Sequence, residues 1–167
     1  EADVGDAPGF RAVGRRFVEV EVRRPGLGAI GEAHAEHEPR AIAAELVFLV
    51  AAERPVIVAG GGVIYSGAEA ELAAFATRHN IPVVETQGGK SALAYDHPLY
   101  FGPVGVTGGS AANAVCAVAD VVIGLGTRFQ DFTTGSWALF RHPERRILSI
   151  NVQPYDAAKH GAMSLVC

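Results

Sequence analysis

The chain has 167 residues, 49% of them hydrophobic, and a formal net charge of -4. This length supports one domain with a sizeable core, and the composition excludes an intrinsically disordered segment. The mild acidity, without any long basic run, argues against nucleic acid as the main partner, and no apolar run is long enough to span a membrane. The two cysteines, Cys116 and Cys167, form no Cys-x-x-Cys motif, so neither a zinc site nor a disulfide framework is predicted.

Residues 1–39 differ in pattern from the rest of the chain. Phe17–Val22 alternates apolar and acidic residues, which indicates an edge strand or an extended arm, and Pro25–Pro39 is aperiodic and typical of a linker. His34 and His37 have no further ligands at metal-binding spacing, so we interpret them as solvated linker side chains. The chain begins without Met and stops within an apparent strand, so we expect it to be a piece of a longer protein.

Helices and strands alternate from residue 40 onward. Arg40–Ala52 carries a broad apolar stripe at helical spacing, and Pro55–Ala59 is a short apolar strand that breaks into Gly60–Gly62. Ser66 and Glu69 form a capping box, which predicts the start of the next helix. The further predicted elements are strand Ile81–Thr86, helix Ser110–Ala119, strand Asp120–Gly124, strand Arg146–Val152, a helical turn at Asp156–His160 and strand Met163–Cys167. This order predicts an α/β fold: a three-layer Rossmann-like domain with an open, mostly parallel sheet of about five or six strands.

Two long stretches lack regular periodicity. Gln87–Gly105 contains one predicted helical turn near Ser91–Ala94, and Arg128–Pro143 contains a short predicted helix near Ser136–Phe140. Loops of this length between regular elements are usually functional or packed against another surface. We therefore expect a site or an interface to involve them.

The glycine turn after the first core strand admits more than one interpretation. Gly60–Gly62 departs from the dinucleotide fingerprint G-x-G-x-x-G because Tyr65 occupies the position of the third glycine, although Glu85 lies at about the spacing of the ribose-binding acid. A packing turn, in which glycines permit close backbone approach, is the better interpretation of this motif alone. The helix starts near Ser66 and Ser110 could also bind an anion through their free N–H groups.

Two further motifs could carry chemistry. Gly108–Ala112 approximates the nucleophile elbow G-x-S-x-G, but Phe101–Thr107 before it does not resemble a strand, so Ser110 is better interpreted as a helix cap. Arg128 follows a strand at the edge where open α/β sheets bind ligands, and its guanidinium could hold a phosphate or a carboxylate. A surface or interdomain ion pair between Arg128 and Asp131 is an equally good interpretation. Neither motif identifies a catalytic or metal-ligating residue in this chain.

The stretch GTRFQDFTTGSW resembles the central domain of thiamine diphosphate-dependent enzymes of the acetolactate synthase group. The corresponding loop of that group usually has the form G-x-R-F-D-D-x-x-T-G. The residues that match it are Arg128, Phe129, Asp131, Thr134 and Gly135. Gln130 departs from it. The stretches QDFTTGSW, SINVQPYDAAKHGA and AGGGVIYSGAE are similar, more narrowly, to the ring-opening hydrolases of myo-inositol catabolism, and the resemblance covers roughly Arg16–Cys167.

The resemblance implies a parent enzyme of three domains, of which this chain supplies the central one. Residues 1–39 would be the connector from a preceding domain, and residues 40–167 the central domain, truncated at its last strand. The flanking pyrimidine- and pyrophosphate-binding domains would be its partners and would hold thiamine diphosphate and Mg²⁺. The family further implies a cytoplasmic homo-oligomer that hydrolyses a C–C bond of a cyclic 1,2-diketone, with no catalytic residue in this chain. The alternatives are a carboligase of the acetolactate synthase type and a stand-alone nucleotide-binding module.

Central domains of this group sometimes bind FAD or ADP, and the resemblance implies where such a site would lie. Its candidate residues are Gly60, Gly61, Gly62, Gly126, Arg128 and Asn151. FAD is disfavoured because Asn151 and Gln153 replace the acidic strand end that is typical of FAD-binding relatives. We therefore expect a mainly structural role, in which exposed Phe132 and Trp137 side chains meet neighbouring domains or subunits.

Overall fold

Six short strands form an all-parallel sheet in the computed structural model, which describes Leu49 and residues 51–166. The strands are β1 (Pro55–Ala59), β2 (Val83–Glu85), β3 (Tyr100–Pro103), β4 (Val121–Leu125), β5 (Arg146–Asn151) and β6 (Met163–Val166). Their spatial order is β3-β2-β1-β4-β5-β6. This is the strand order of doubly wound Rossmann-like domains, and it confirms the predicted α/β fold.

Helices cover both faces of the sheet. They are α1 (Gly61–Tyr65), α2 (Glu69–His79), α3 (Ser110–Val118), α4 (Asp131–Thr134) and α5 (Pro154–Ala158). In one apolar layer, Leu72 of α2 belongs to the same cluster as Ile57 and Val83. In the other layer, Val115 of α3 belongs to the same cluster as Val58. Successive side chains of a strand point to opposite faces, so a strand covered on both sides is apolar at every position.

The helix after the glycine turn begins at Gly61, and the prediction that Ser66 caps a helix start is wrong. The Ser66 hydroxyl donates to the carbonyls of Gly62 (2.7 Å) and Val63 (3.2 Å), so Ser66 ends α1 instead. Helix α2 starts after Ala68 without any side-chain cap. Serine hydroxyls readily bond to carbonyls of the preceding turn, and here that turn is already helical.

The stretch Gln87–Gly105 contains a strand that the sequence did not predict individually. Strand β3 pairs with β2, and the register shifts between Val83 and Val84. Its sequence, YFGP, lacks a strand signature, but β3 lies at the edge of the sheet, where proline is tolerated. The helical turn in this stretch is a 3₁₀ turn at Gln87–Gly89, not one near Ser91–Ala94.

Two other local predictions are corrected. No side chain caps α3, so the cap assigned to Ser110 is wrong. The short helix expected near Ser136–Phe140 is instead α4, which ends at Gly135 in the left-handed conformation (φ +57°). A left-handed residue breaks the helical path, so the chain continues as turns after residue 135.

The amino-terminal predictions fall almost entirely outside the described residues. These are the arm and linker of residues 1–39 and most of the helix predicted for Arg40–Ala52, of which Leu49 and Ala51 are helical. In the part of the chain that the structure describes, no helix combines the length and the apolarity needed to cross a membrane.

Strand β2 ends at Glu85, whose buried carboxylate joins β2 to strand β3 and to the turn after β2. Glu85 Oε1 accepts a hydrogen bond from the Tyr100 hydroxyl of β3 (2.6 Å), and Oε2 accepts one from the Ser91 N–H (2.9 Å). Burial, and then the hydrogen bond and negative charge of Glu85, raise the pKa of Tyr100 to about 12. The tyrosine therefore remains a donor, and the pair joins β3 and the following turn to β2.

Removal of the Tyr100 hydroxyl tests this junction. We expect Tyr100→Phe to lower the free energy of unfolding by about 1–3 kcal/mol, because a buried carboxylate oxygen loses its donor. Urea denaturation at pH 7 measures the effect, and Tyr95→Phe is the control because Tyr95 is exposed. The pKa of Tyr100 is higher in the folded chain than its ordinary value of 10. Its contribution to the free energy of unfolding is therefore fully present below pH 10 and decreases as the pH rises toward 12. Equal effects of the two variants, or a difference that does not shrink above pH 10, would contradict this assignment.

Candidate functional site

A cleft of about 530 Å³ opens at the carboxyl ends of the central strands. Five segments line it: the turn after β1, the 3₁₀ turn after β2, the segment after β3, the loop after β4 and the segment after β5. The cleft lies where the chain departs from β1 to one side of the sheet and from β4 to the other. Open α/β sheets bind ligands at this topological switch point. The fold thus places a candidate site of ordinary ligand size here.

The glycine turn forms one wall by direct contact with the loop after β4. The Gly60 N–H donates to the Leu125 carbonyl (2.8 Å), and the Gly62 N–H donates to the Gly126 carbonyl (3.1 Å). A Cβ at Gly62 would lie 2.5 Å from the Gly126 Cα, and one at Gly60 would collide with the Gly126 carbonyl. Only glycine permits this approach, so the motif is a junction between two loops.

This junction weakens the dinucleotide interpretation of the glycine motif. In a phosphate-binding turn, the backbone N–H groups point at the ligand. Here the N–H groups of Gly60 and Gly62 are engaged by the neighbouring loop. Gly61 instead packs against Gly88, which follows β2. The geometry therefore favours the packing turn, with Gly61 and Gly62 forming part of the cleft surface.

The opposite wall carries a cation at the mouth of the cleft. Gly126 adopts φ +57° and its N–H donates to the Ile150 carbonyl (2.8 Å), which joins the loop to β5. Arg128 follows it and is exposed, lining the cleft. Within residues 51–166, no ion pair joins Arg128 to Asp131. The guanidinium is therefore available to an anion in the cleft.

Asn151 lies at the end of β5, where the predicted site requires it, but its side chain is already used. Asn151 Nδ2 donates to the Thr127 carbonyl (3.0 Å), and Oδ1 accepts from the Gln153 N–H (3.1 Å). The side chain is buried, so these two bonds fix the backbone on either side of the cleft. The amide thereby holds the peptide that precedes Arg128.

The structure thus brings together five of the six candidate residues at the cleft surface, and Gly60 lies behind them in the junction. Asp156 also lines the cleft and was not predicted as a site residue. Lys159 Nζ contacts Asp156 Oδ1 at 2.8 Å, an i,i+3 pair on and just after α5. The spacing Asp-x-x-Lys in the sequence could have indicated this pair, but not its position in the cleft.

The remaining sequence candidates lie elsewhere. Glu85 does not line the cleft, because its carboxylate is held by Tyr100 and Ser91. Ser110 is an exposed residue at the start of α3 and follows no strand directly, so the nucleophile-elbow geometry is not formed. Among the described residues, no three His, Cys, Asp or Glu side chains come together as metal ligands.

An aromatic cluster supports the loop that carries Arg128. Phe129 is buried with φ +46°, and Trp137 packs between the rings of Phe129, Phe140 and His160 at centroid distances of 4.7–6.0 Å. Trp137 is therefore half-buried, which corrects the expectation that it is exposed, whereas Phe132 is exposed as expected. Burial and then the Lys159 charge lower the pKa of His160, opposed by a hydrogen bond to the Phe129 backbone and by Asp131.

Comparison with known protein families gives one match that spans most of the chain. The model of the family described as "Thiamine pyrophosphate enzyme, central domain" matches residues 42–167. The matched segment contains α1–α5, β1–β6 and every described residue that lines the cleft.

Curated relatives show the same relationship at the level of sequence identity. A protein named 3D-(3,5/4)-trihydroxycyclohexane-1,2-dione hydrolase from Clostridium perfringens is 48% identical over 114 residues. Proteins with the same name from Clostridium botulinum and Bacillus thuringiensis are 45% and 47% identical over 114 residues. Each alignment covers 68% of this chain and 18% of the relative, so the chain spans about a fifth of the length of these relatives.

The glycine junction is tested by adding a single methyl group. We expect Gly62→Ala to lower the free energy of unfolding by about 1–3 kcal/mol, because its Cβ would force Gly126 and Gly62 apart. Gly88→Ala is the matched control, since a Cβ there would meet only ordinary van der Waals contacts, the nearest at 3.7 Å. Thermal or urea unfolding of the two variants measures the difference. Equal stability of both would contradict the junction.

Proposed function

Because the chain belongs to the thiamine pyrophosphate enzyme family, as its central domain, we propose that its parent protein hydrolyses a C–C bond of a cyclic 1,2-diketone. The observation that carries the proposal is the 45–48% identity to relatives named as trihydroxycyclohexanedione hydrolases. The parent's activity would be the ring opening of this dione within the catabolism of myo-inositol. The loop GTRFQDFTTGSW, which bears Arg128 and closes the cleft, lies in the part of the chain that the family model matches.

In this proposal the chain supplies no catalytic group of its own. Thiamine diphosphate, which provides the carbanion chemistry of such enzymes when bound, needs Mg²⁺ and oxygen ligands for its diphosphate. The cleft offers few such ligands, because Asp156 is the one carboxylate among the described residues that line it and its Oδ1 is paired with Lys159. We therefore assign the cofactor and the metal to the flanking pyrimidine- and pyrophosphate-binding domains of the parent.

The role that we propose for this chain is to hold those domains in a fixed arrangement. A parallel sheet covered on both faces is a rigid element, and its strand ends are joined by backbone hydrogen bonds from the Gly60, Gly62 and Gly126 N–H groups. A homo-oligomer in the cytoplasm is the assembly expected for such a parent. A carboligase of the acetolactate synthase type is the weaker alternative, because the relatives above are named as hydrolases.

A nucleotide in the cleft is a second candidate function for the chain itself. It is favoured by the position of the cleft at the switch point and by Arg128 at its mouth. FAD fits poorly, because both polar atoms of Asn151 are engaged and Asp156 is paired. Gly61, Gly62, Gly126 and Arg128 would line the site of a smaller anionic nucleotide such as ADP.

The parent's reaction is tested with the full-length protein that contains this chain. With thiamine diphosphate and Mg²⁺ we expect it to consume the trihydroxycyclohexanedione and form an open-chain acid, at least about 100-fold faster than it converts pyruvate to acetolactate. The matched control is the 167-residue chain alone, which should show neither activity nor binding of thiamine diphosphate. Preference for pyruvate would overturn the hydrolase proposal, and saturable micromolar binding by the chain alone would overturn the assignment of the cofactor to other domains.

The nucleotide site is tested by calorimetry on this chain with FAD, ADP and CoA. We expect no binding of FAD, because an amide, Asn151, stands at the end of β5 where a carboxylate would accept from ribose hydroxyls, and its Oδ1 already accepts from the Gln153 N–H. If ADP or CoA binds, Arg128→Ala should weaken it about 10- to 150-fold, the loss expected for a hydrogen bond to a charged group. Arg78→Ala on α2 is the control and should leave the affinity unchanged. No heat with any of the three ligands would leave only the structural role.

A further inference from the structure

Large apolar side chains are exposed along the edge of the sheet where the cleft opens. Tyr65 at the end of α1, Phe132 in α4 and Val152 after β5 all line the cleft, and they are 92%, 68% and 75% exposed. Val106 is also exposed, and its N–H donates to the Phe132 carbonyl (2.9 Å). These four residues, which we call the carboxyl rim, come from four separate segments of the chain.

The rim differs from ordinary scattered surface hydrophobics in two ways. Four of the seven large apolar side chains that are exposed in the described residues belong to it, and a fifth, Tyr155, lies three residues after Val152. Three of the four rim residues, Tyr65, Phe132 and Val152, line a concave surface, the form taken by a site that receives another surface. In contrast, Val56–Ala59 of β1 and Val121–Ile123 of β4 are buried.

The length of the relatives indicates what covers the rim. Each curated relative is more than five times as long as the segment that it shares with this chain, because that segment is 18% of its length. The strands are all parallel, so the chain that follows β6 emerges at the same edge as the rim. A contact between the rim and a following domain of the same polypeptide therefore needs no long connection and no second molecule.

We propose that the carboxyl rim is the docking surface for an apolar face of a flanking domain of the same polypeptide. This inference rests on the proposed multidomain parent, but not on the reaction that the parent catalyses. Burial of exposed Tyr65, Phe132 and Val152 side chains would supply the hydrophobic contribution to the contact. The cleft would then be enclosed between two domains, with Arg128 at the boundary.

Thiol labelling tests the proposal without requiring turnover. Tyr65→Cys and Phe132→Cys are made separately in the isolated chain and in the full-length parent, and every variant also carries Cys167→Ser. Cys116 is buried and burial raises the pKa of its thiol to about 12, so it contributes no background reaction. Tyr95→Cys is the matched control, because Tyr95 is an 87% exposed tyrosine that does not line the cleft. Circular dichroism verifies that each variant is folded.

We expect the two rim thiols to react at least about 10-fold more slowly in the parent than in the isolated chain, and the control thiol to react at similar rates in both. Rim thiols that react equally in both proteins would overturn the proposal. Equal protection of the Tyr95→Cys thiol would also overturn it, because the protection would not be specific to the rim. Protection that disappears when the parent is diluted to a monomer would assign the surface to a second copy instead. Since labelling is independent of the substrate, a parent inactive toward the dione can still pass or fail this test.

Discussion

The contact between the Gly62 and Gly126 backbones is the constraint on which the rest of the site depends. These residues follow β1 and β4, the two strands at the centre of the sheet, and no side chain separates them. Hydrogen bonds from the Gly60 and Gly62 N–H groups, and from Gly126 to Ile150, continue the sheet's ladder beyond the strand ends. The cleft therefore has walls made of hydrogen-bonded backbone, which are held more firmly than loops that pack through side chains alone.

The same contact limits the chemistry that the cleft can support. The N–H groups that would hold a phosphate in a dinucleotide-binding turn are engaged within the protein. The amide of Asn151 and the carboxylate of Asp156 also have partners, so these two polar side chains serve mainly to fix the shape of the cleft. Arg128 is the charged group that remains exposed at its mouth. A framework role agrees with this arrangement, because catalysis needs groups that are positioned but still available to a substrate.

A framework must present surfaces to the parts that it holds. The exposed Tyr65, Phe132 and Val152 side chains line the cleft at the edge toward which all six strands run, and we propose them as such a surface. Arg128 lies on the loop after β4, where the ring of the next residue, Phe129, packs against Trp137. The carboxyl end of the sheet thus combines exposed apolar side chains with an exposed guanidinium.

Local patterns along the chain predict both the fold class and the family. Strands β1 and β4 are apolar runs covered on both faces, and in the loop after β4 Arg128, Phe129, Asp131, Thr134 and Gly135 match the family's pattern. The features that depend on partners distant in the chain could be seen only in the folded domain. Strand β3 forms because β2 offers it hydrogen-bond partners, although Gly102 and Pro103 interrupt the strand propensity of Tyr100 and Phe101. Asn151 joins two loops because its side-chain amide donates to the carbonyl of Thr127, which lies 24 residues away in the chain. A local pattern specifies which surfaces a residue can bury, whereas its hydrogen-bond partner is specified only when the sheet brings separate segments together.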